Sequence, residues 1–273
     1  MSLFNYFKKK REFNRIARDI TSIKIQGARN IAKEGLAAYF LFPTKSSKNK
    51  LFSLRPTEPM LHKVLNLAEQ GISKEKIVEH FDSSQEKINK QVFNLIKDKD
   101  IIFTHCHSTN VINALVYSKK KGKKFEVYNT ETRPLFQGRR TAVELENAGI
   151  KVSMFIDSAL GVAIKKGEVS KVFLGADAIS KEGVINKIGS ELISRIAQAE
   201  KIPVYIIADS WKFSEKRLPI EQRELNEVWD HAPKNIKIEN PAFEFIHKKY
   251  IKSIISELGT LNYSDFLKKV KKN

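Results

Sequence analysis

Five short apolar runs in the second half of the chain each end in side chains that can do chemistry. Ile101–Thr104 leads into His105-Cys106-His107-Ser108, the run 125–129 into Glu131-Thr132-Arg133, and the run 151–156 into Asp157-Ser158. Lys171–Leu174 leads into Gly175-Ala176-Asp177, and Val204–Ile207 into Asp209-Ser210-Trp211-Lys212. If the runs are parallel strands, their carboxyl ends share one edge, and open α/β sheets bind ligands outside that edge. Cys106, at a strand-to-helix turn, can serve as base or nucleophile, because the next helix's positive end and neighbouring His105 and His107 favour a thiolate. A lone cysteine also reads as a small buried apolar side chain. Asp177 follows an apolar strand through two small residues, where burial would raise its pKa and suit it to general acid work. It reads equally as the N-cap of a following helix. Metal binding is not expected, since adjacent His-Cys-His cannot aim three side chains at one ion from a strand end.

Those strand ends need a scaffold. From residue 101 onward, apolar runs alternate with helical patterns, the first helix near 111–120, which predicts a parallel sheet covered on both faces. A shorter strand is expected at 236–238. Before about residue 98 the spacing is helical: Leu61, Val64, Leu65 and Ala68 share one face, and Ile88, Val92, Leu95 and Ile96 another, with Gly71 as a C-cap between them. The stretch 43–50, with Ser46, Ser47 and Asn49, has loop composition, and Arg55-Pro56-Thr57 reads as a turn into a helix.

The 273 residues, 41% hydrophobic and 10% aromatic, suffice for a large core. No apolar run reaches the roughly 18 residues of a membrane span, and the start, MSLFNYFKKKREFNR, has no continuous apolar stretch like that of a signal peptide. A cytoplasmic protein with no membrane partner is expected, and a single cysteine, unable to form an internal disulfide, agrees with a reducing compartment. The formal charge of +18, from 49 Lys plus Arg against 31 Asp plus Glu, draws anions. Phosphorylated metabolites fit that charge. Nucleic acid rests on the charge alone, because the lysine runs at 8–10, 119–124 and 268–272 carry no interleaved aromatics to stack bases. Asn186-Lys187-Ile188-Gly189-Ser190 offers an amide, an ammonium and small residues before a helix, a simple anion cradle.

Taken in order, Thr104-His105-Cys106-His107-Ser108, Glu131-Thr132-Arg133-Pro134 with Phe136-Gln137-Gly138, Gly175-Ala176-Asp177-Ala178-Ile179, Asn186-Lys187-Ile188-Gly189 and Asn240-Pro241-Ala242-Phe243 resemble one superfamily. It holds ribose-1,5-bisphosphate isomerases, methylthioribose-1-phosphate isomerases and regulatory subunits of translation initiation factor 2B. The resemblance implies a helical N-terminal domain, placed at 1–98, followed by a Rossmann-like parallel-sheet α/β domain at 99–273. It implies dimers that often build a hexamer, leaves room for a nucleotide activator, and calls for no cofactor.

The resemblance also implies roles. Cys106 would take the proton from C2 of a phosphorylated pentose, and Asp177 would donate one to the furanose oxygen, giving ribulose 1,5-bisphosphate. Substrate would be held by Gln26, Gly27, Ala28 and Arg29, by Arg55, by Ser108, Thr109 and Asn110, by Asn186 and Lys187, and by Lys212. His107-Ser108 after the cysteine departs from methylthioribose-1-phosphate isomerases, so the pentose bisphosphate leads. The initiation-factor subunits, which sense rather than convert, usually lack the Cys and Asp pair. One departure stands against the isomerases: their first phosphate loop resembles Arg-Gly-Ala-Gly, where this chain has Gln26-Gly27-Ala28-Arg29. A lost guanidinium contact is worth about 1.5–3 kcal/mol, and Arg29 could replace it from the same face of a helical turn.

Overall fold

A computed structural model describes residues 3–165, 168–215, 218–220 and 223–272. Five helices come first: α1 (Leu3–Thr21), α2 (Ala28–Leu41), α3 (Lys45–Leu54), α4 (Pro59–Glu69) and α5 (Lys74–Leu95). Ile16 and Ile20 of α1, Ile31 and Leu36 of α2, and Leu61, Val64 and Leu65 of α4 recur at helical spacing and meet in one core. Each such buried side chain stabilises the fold by about 1.5–3 kcal/mol. Gly71, at φ 87°, ends α4 as the sequence suggested. The expected loop at 43–50 holds only as far as residue 44, and from Lys45 it is instead the start of α3. Thr44 Oγ1 accepts from the Ser47 amide at 3.2 Å, a cap worth about 1 kcal/mol, and Leu51 is buried, so the small polar residues begin a helix there.

The α/β region follows as β1 (Ile101–Thr104), α6 (Thr109–Lys120), β2 (Glu126–Thr130), α7 (Gln137–Asn147), β3 (Lys151–Phe155), α8 (Leu160–Lys165) and β4 (Lys171–Leu174). Then come β5 (Ala178–Ile179), β6 (Gly183–Lys187), α9 (Ser190–Ala199), β7 (Val204–Ile207), β8 (Phe243–His247), β9 (Ser253–Ser256), β10 (Gly259–Leu261) and α10 (Tyr263–Val270). Seven strands form one sheet in the order β10-β9-β7-β4-β1-β2-β3, parallel except for β10, while β5, β6 and β8 form a small antiparallel sheet.

Alternation along the strands covers both faces of the main sheet. Ile102, Phe173, Ile207 and Ile255 pack with Ile88 and Val92 of α5, whereas Phe103, Val172, Leu174 and Ile254 pack with Ile193 of α9 and Phe266 of α10. The long α5 therefore serves two cores, since its Ile77 and Phe81 belong to the helical one. From β1 the chain runs outward to β2 and β3, then returns to place β4 on β1's other side. That reversal is a topological switch point, where such sheets open a crevice.

The strand expected at 236–238 does not form. Ile236 is 47% exposed, and the Arg223 amide donates to Asn240 O at 3.0 Å in an irregular segment with charged Lys237 and Glu239, which suits a solvent-facing strap better than a buried strand. Among the described residues, no helix is long and apolar enough to cross a membrane.

Candidate active site

A cavity of about 160 Å³ opens at the switch point between β1 and β4. Strands β1 and β4 pair in register, Thr104 opposite Phe173, at the roughly 4.8 Å spacing of neighbouring strands. Cys106 and Asp177, a few residues beyond those ends, thus reach one crevice, and both line it. The two loops pass so closely that a Cβ on Gly175 would stand 2.5 Å from Ser108 Oγ, so glycine is required at that crossing.

Cys106 occupies the left-handed region at φ 63°, which costs free energy and persists only where surrounding structure enforces it. Two threonines do so: the Cys106 amide donates to Thr132 Oγ1 at 3.0 Å, and Thr141 Oγ1 donates to the Cys106 carbonyl at 2.7 Å. Asp157 in turn accepts from the Thr132 amide at 2.9 Å and from the Arg133 amide at 2.6 Å. The clusters at 131–133 and 157–158, expected to converge with the others, therefore brace Cys106 from behind and do not line the cavity.

The thiolate expected from two flanking histidines is not the resting state. Burial pushes the Cys106 thiol up to about 12, against the downward pull of Lys187 and the His107 amide, with Asp177 and Asp157 adding to the rise. Burial likewise lowers His105 to about 4, so it is neutral. Its Nε2–H donates to Ile188 O at 2.8 Å, which leaves Nδ1 to accept from Thr130 Oγ1. His107 is also lowered, mainly by burial, and its Nε2 meets Glu144 at 3.0 Å. Neither ring supplies a cation to the sulfur. Lys187 does, although burial lowers its own pKa.

Every residue assigned to the substrate from sequence lines this cavity: Gln26, Gly27, Ala28, Arg29, Arg55, Ser108, Thr109, Asn110, Asn186, Lys187 and Lys212. Two helices begin at it without a side-chain cap, α2 after Gly27 and α6 after Ser108, so their first amides are available to anions. Lys212 Nζ donates to Ala176 O at 2.6 Å, beside Asp177. Asn186 Nδ2 donates to Ser190 Oγ at 2.9 Å, which fixes the end of β6. Arg29 is partly committed elsewhere: its guanidinium pairs with Asp82 and lies 5.6 Å from the Phe81 ring, so it is an incomplete substitute for the arginine missing at Gln26.

Gln137, Arg140 and Arg223 also line the cavity and were not assigned from sequence. Gln137 stood within a recognised motif, and its Oε1 is buried without a hydrogen-bond partner among the described residues. Arg140, bound to Glu144 at 2.7 Å, follows another arginine on a helix, and nothing in the spacing marks it. Arg223, bound to Glu227 at 2.9 Å, comes from the irregular strap.

Among the described residues, His80, Asp209 and Glu257 bring potential metal-ligand atoms within 4.8 Å of one another. They lie outside the cavity lining, and hydrogen bonds from Ser84, Ser210 and the Trp211 amide already engage both carboxylates.

A ribose 1,5-bisphosphate isomerase of Methanocaldococcus jannaschii is 36% identical over 275 residues, spanning 89% of each chain. A methylthioribose-1-phosphate isomerase of Thermosipho melanesiensis is 32% identical, across 90% of this chain and 82% of that one. The solved structure of a translation initiation factor eIF-2B from Pyrococcus horikoshii superposes with a TM-score of 0.80 at 25% identity, over 92% and 96% of the two chains. The Initiation factor 2 subunit family pattern matches residues 48–263, most of the length and the whole α/β sheet up to α10, and the chain belongs to that family.

Proposed function

We propose that the chain is an aldose–ketose isomerase that converts ribose 1,5-bisphosphate to ribulose 1,5-bisphosphate. The observation that carries this reading is the pairing of one thiol and one carboxyl at adjacent strand ends, in a cavity with two uncapped helix N-termini. Two anion-binding ends suit a sugar with a phosphate at each end. Methylthioribose 1-phosphate has an apolar thioether at one end and would leave one set of amides unpaired. The name of the M. jannaschii relative points the same way.

A phosphate on C1 blocks ring opening to a free aldehyde, so ring cleavage has to accompany loss of the C2 proton. Cys106, as thiolate, removes that proton while Asp177, as acid, protonates the furanose oxygen. The C1–O bond of the ring breaks and an enol phosphate forms between C1 and C2. Asp177 then takes the proton of the C2 hydroxyl and Cys106 returns its proton to C1. The C2 ketone results, with both groups back in their starting states. Lys187 and the His107 amide, which pull the Cys106 pKa down, stabilise the thiolate while it exists.

The test is direct. Purified protein, without added metal or nicotinamide, is offered ribose 1,5-bisphosphate, methylthioribose 1-phosphate and ribose 5-phosphate separately, with ketose formation followed. Turnover of the first alone is expected. Binding without turnover, with the thiol intact, would instead make the chain a non-catalytic sensor like the initiation-factor subunits.

The unpartnered Oε1 of Gln137 is placed to accept from a sugar hydroxyl. Gln137→Ala is expected to raise KM by about three- to tenfold, the worth of one net hydrogen bond of about 0.5–1.5 kcal/mol. An unchanged KM would remove Gln137 from the site. The chain should also associate with itself. Val143 of α7, Met154 of β3 and Val162 of α8 are 58%, 47% and 64% exposed on the edge strand and the helices before and after it, apolar side chains that a second copy would cover. Light scattering should give a multiple of the chain mass, and a monomer at micromolar concentration would sink that expectation.

A further inference from the structure

Helix α5 lines no part of the cavity, yet residues 80–85 hold three of the segments that do. Gln85 and Asn110 exchange hydrogen bonds, Gln85 Nε2 to Asn110 O at 3.3 Å and Asn110 Nδ2 to Gln85 Oε1 at 2.9 Å. Asp82 pairs with Arg29. The densest contact is made by His80 and Ser84, which reach across the seam between helices and sheet to Asp209 at the end of β7. His80 Nε2 stands 3.1 Å from each Asp209 oxygen, and Ser84 Oγ donates to Oδ2 at 2.6 Å.

Asp209 is buried, and a buried carboxylate must keep its donors. Burial alone would raise its pKa, but His80, Ser84 and the Trp211 amide hold it below the ordinary value, so it is ionised and the His80 Nε2 carries the hydrogen. The same carboxylate accepts from the Trp211 amide at 2.9 Å, and the Lys212 amide donates to the Asp209 carbonyl at 3.1 Å, closing a tight turn. His80 also stacks on Trp211, with ring centroids 3.5 Å apart and planes within 3°. Glu257 secures the other side of the turn by accepting from the Ser210 amide at 3.0 Å. Lys212 follows Trp211 directly, and its ammonium reaches Ala176 O beside Asp177.

We propose that His80 is a positioning residue for Lys212: by gripping Asp209 with its N–H and Trp211 with its ring face, it sets where the Lys212 ammonium stands, and hence how tightly the substrate's phosphate is held. The proposal rests on the reading of Lys212 as one of the residues that hold the substrate, with its ammonium on a phosphate. His80 touches no substrate. Its loss leaves Asp209 one donor short and Trp211 unstacked, and the turn that carries Lys212 is then free to shift.

Full-length variants test this with ribose 1,5-bisphosphate as the probe. His80→Ala should raise KM about tenfold, as a lost hydrogen bond to a charged group would, while kcat stays within about twofold. His80→Gln, which keeps an N–H at similar reach, should recover much of the loss. In a Lys212→Ala background, His80→Ala should raise KM no further, because the group it positions is gone. Should the alanine variant not fold, His80→Phe keeps the ring on Trp211, lacks the donor, and carries the same expected rise in KM. An unchanged KM, or effects that multiply in the double variant, would overturn the proposal. If Lys212→Ala alone leaves KM unchanged, the phosphate-ligand reading itself fails and the proposal falls with it. If Lys212→Ala raises KM and His80→Ala does not, only the role of His80 falls.

Discussion

Replacing Cys106 with serine should lower kcat by about a thousandfold or more while phosphosugar affinity stays within about threefold. A hydroxyl is a far weaker acid than a thiol, and a cavity that already pushes the thiol to about 12 would hold a serine neutral under any working condition. General base catalysis is typically worth 100- to 10,000-fold, on the order of 3–5 kcal/mol of barrier. Binding should survive, because the amides proposed to face phosphate belong to α2 and α6 and the backbone at 106 is held by Thr132 and Thr141 whatever the side chain. Asp177→Asn should cost a comparable factor, since an amide neither donates nor accepts the travelling proton. The double variant should fall little below either single one, as groups that serve the same proton transfers are not additive. Calorimetry for binding and a ketose assay for rate separate the two effects. Either single variant retaining more than about a tenth of the wild-type kcat would remove that residue from the proposed chemistry.

The legible parts of the molecule were those written in neighbouring residues. Strands β1, β4 and β7 are uninterrupted apolar runs between polar ends, and a sheet covered on both faces demands that pattern. The cavity lining followed because parallel strands bring their carboxyl ends together, so Cys106, Asp177 and Lys212 could be placed without coordinates. Helix α3 was hidden because Ser46, Ser47 and Asn49 compete for backbone hydrogen bonds in turns and caps alike, and only the Thr44 cap decides between them. The small sheet was hidden for another reason. Its β5 has two residues, and its β6 pairs with β8 some sixty positions onward, which no local period records. The charge state of Cys106 is illegible for the same reason, because adjacent histidines in sequence suggest cations. Burial under segments distant in sequence keeps their pKa values down, against the upward pull of the hydrogen bonds to Ile188 O and Glu144.

That charge state predicts how the thiol should label. In the folded protein, iodoacetamide should modify Cys106 slowly at pH 7, and the rate should climb about tenfold per pH unit to pH 10 without levelling off. The reactive form is the thiolate, and with a pKa near 12 its share is roughly one in 100,000 at pH 7 and one in 100 at pH 10. In denaturant the same thiol should level off above about pH 9, as an ordinary cysteine does. Lys187→Met should slow labelling further, because the removed cation was holding the pKa down. Mass spectrometry of timed samples measures all three. Fast labelling that is flat from pH 6 would mean a resting thiolate and would sink the burial argument. Turnover should not follow the labelling curve. Moving one proton from a thiol to a carboxylate leaves the proton count of the pair unchanged. One internal transfer between the two therefore creates base and acid together, with no proton drawn from or lost to solvent. On that account kcat/KM stays level through neutral pH while the labelling rate rises a thousandfold between pH 7 and 10.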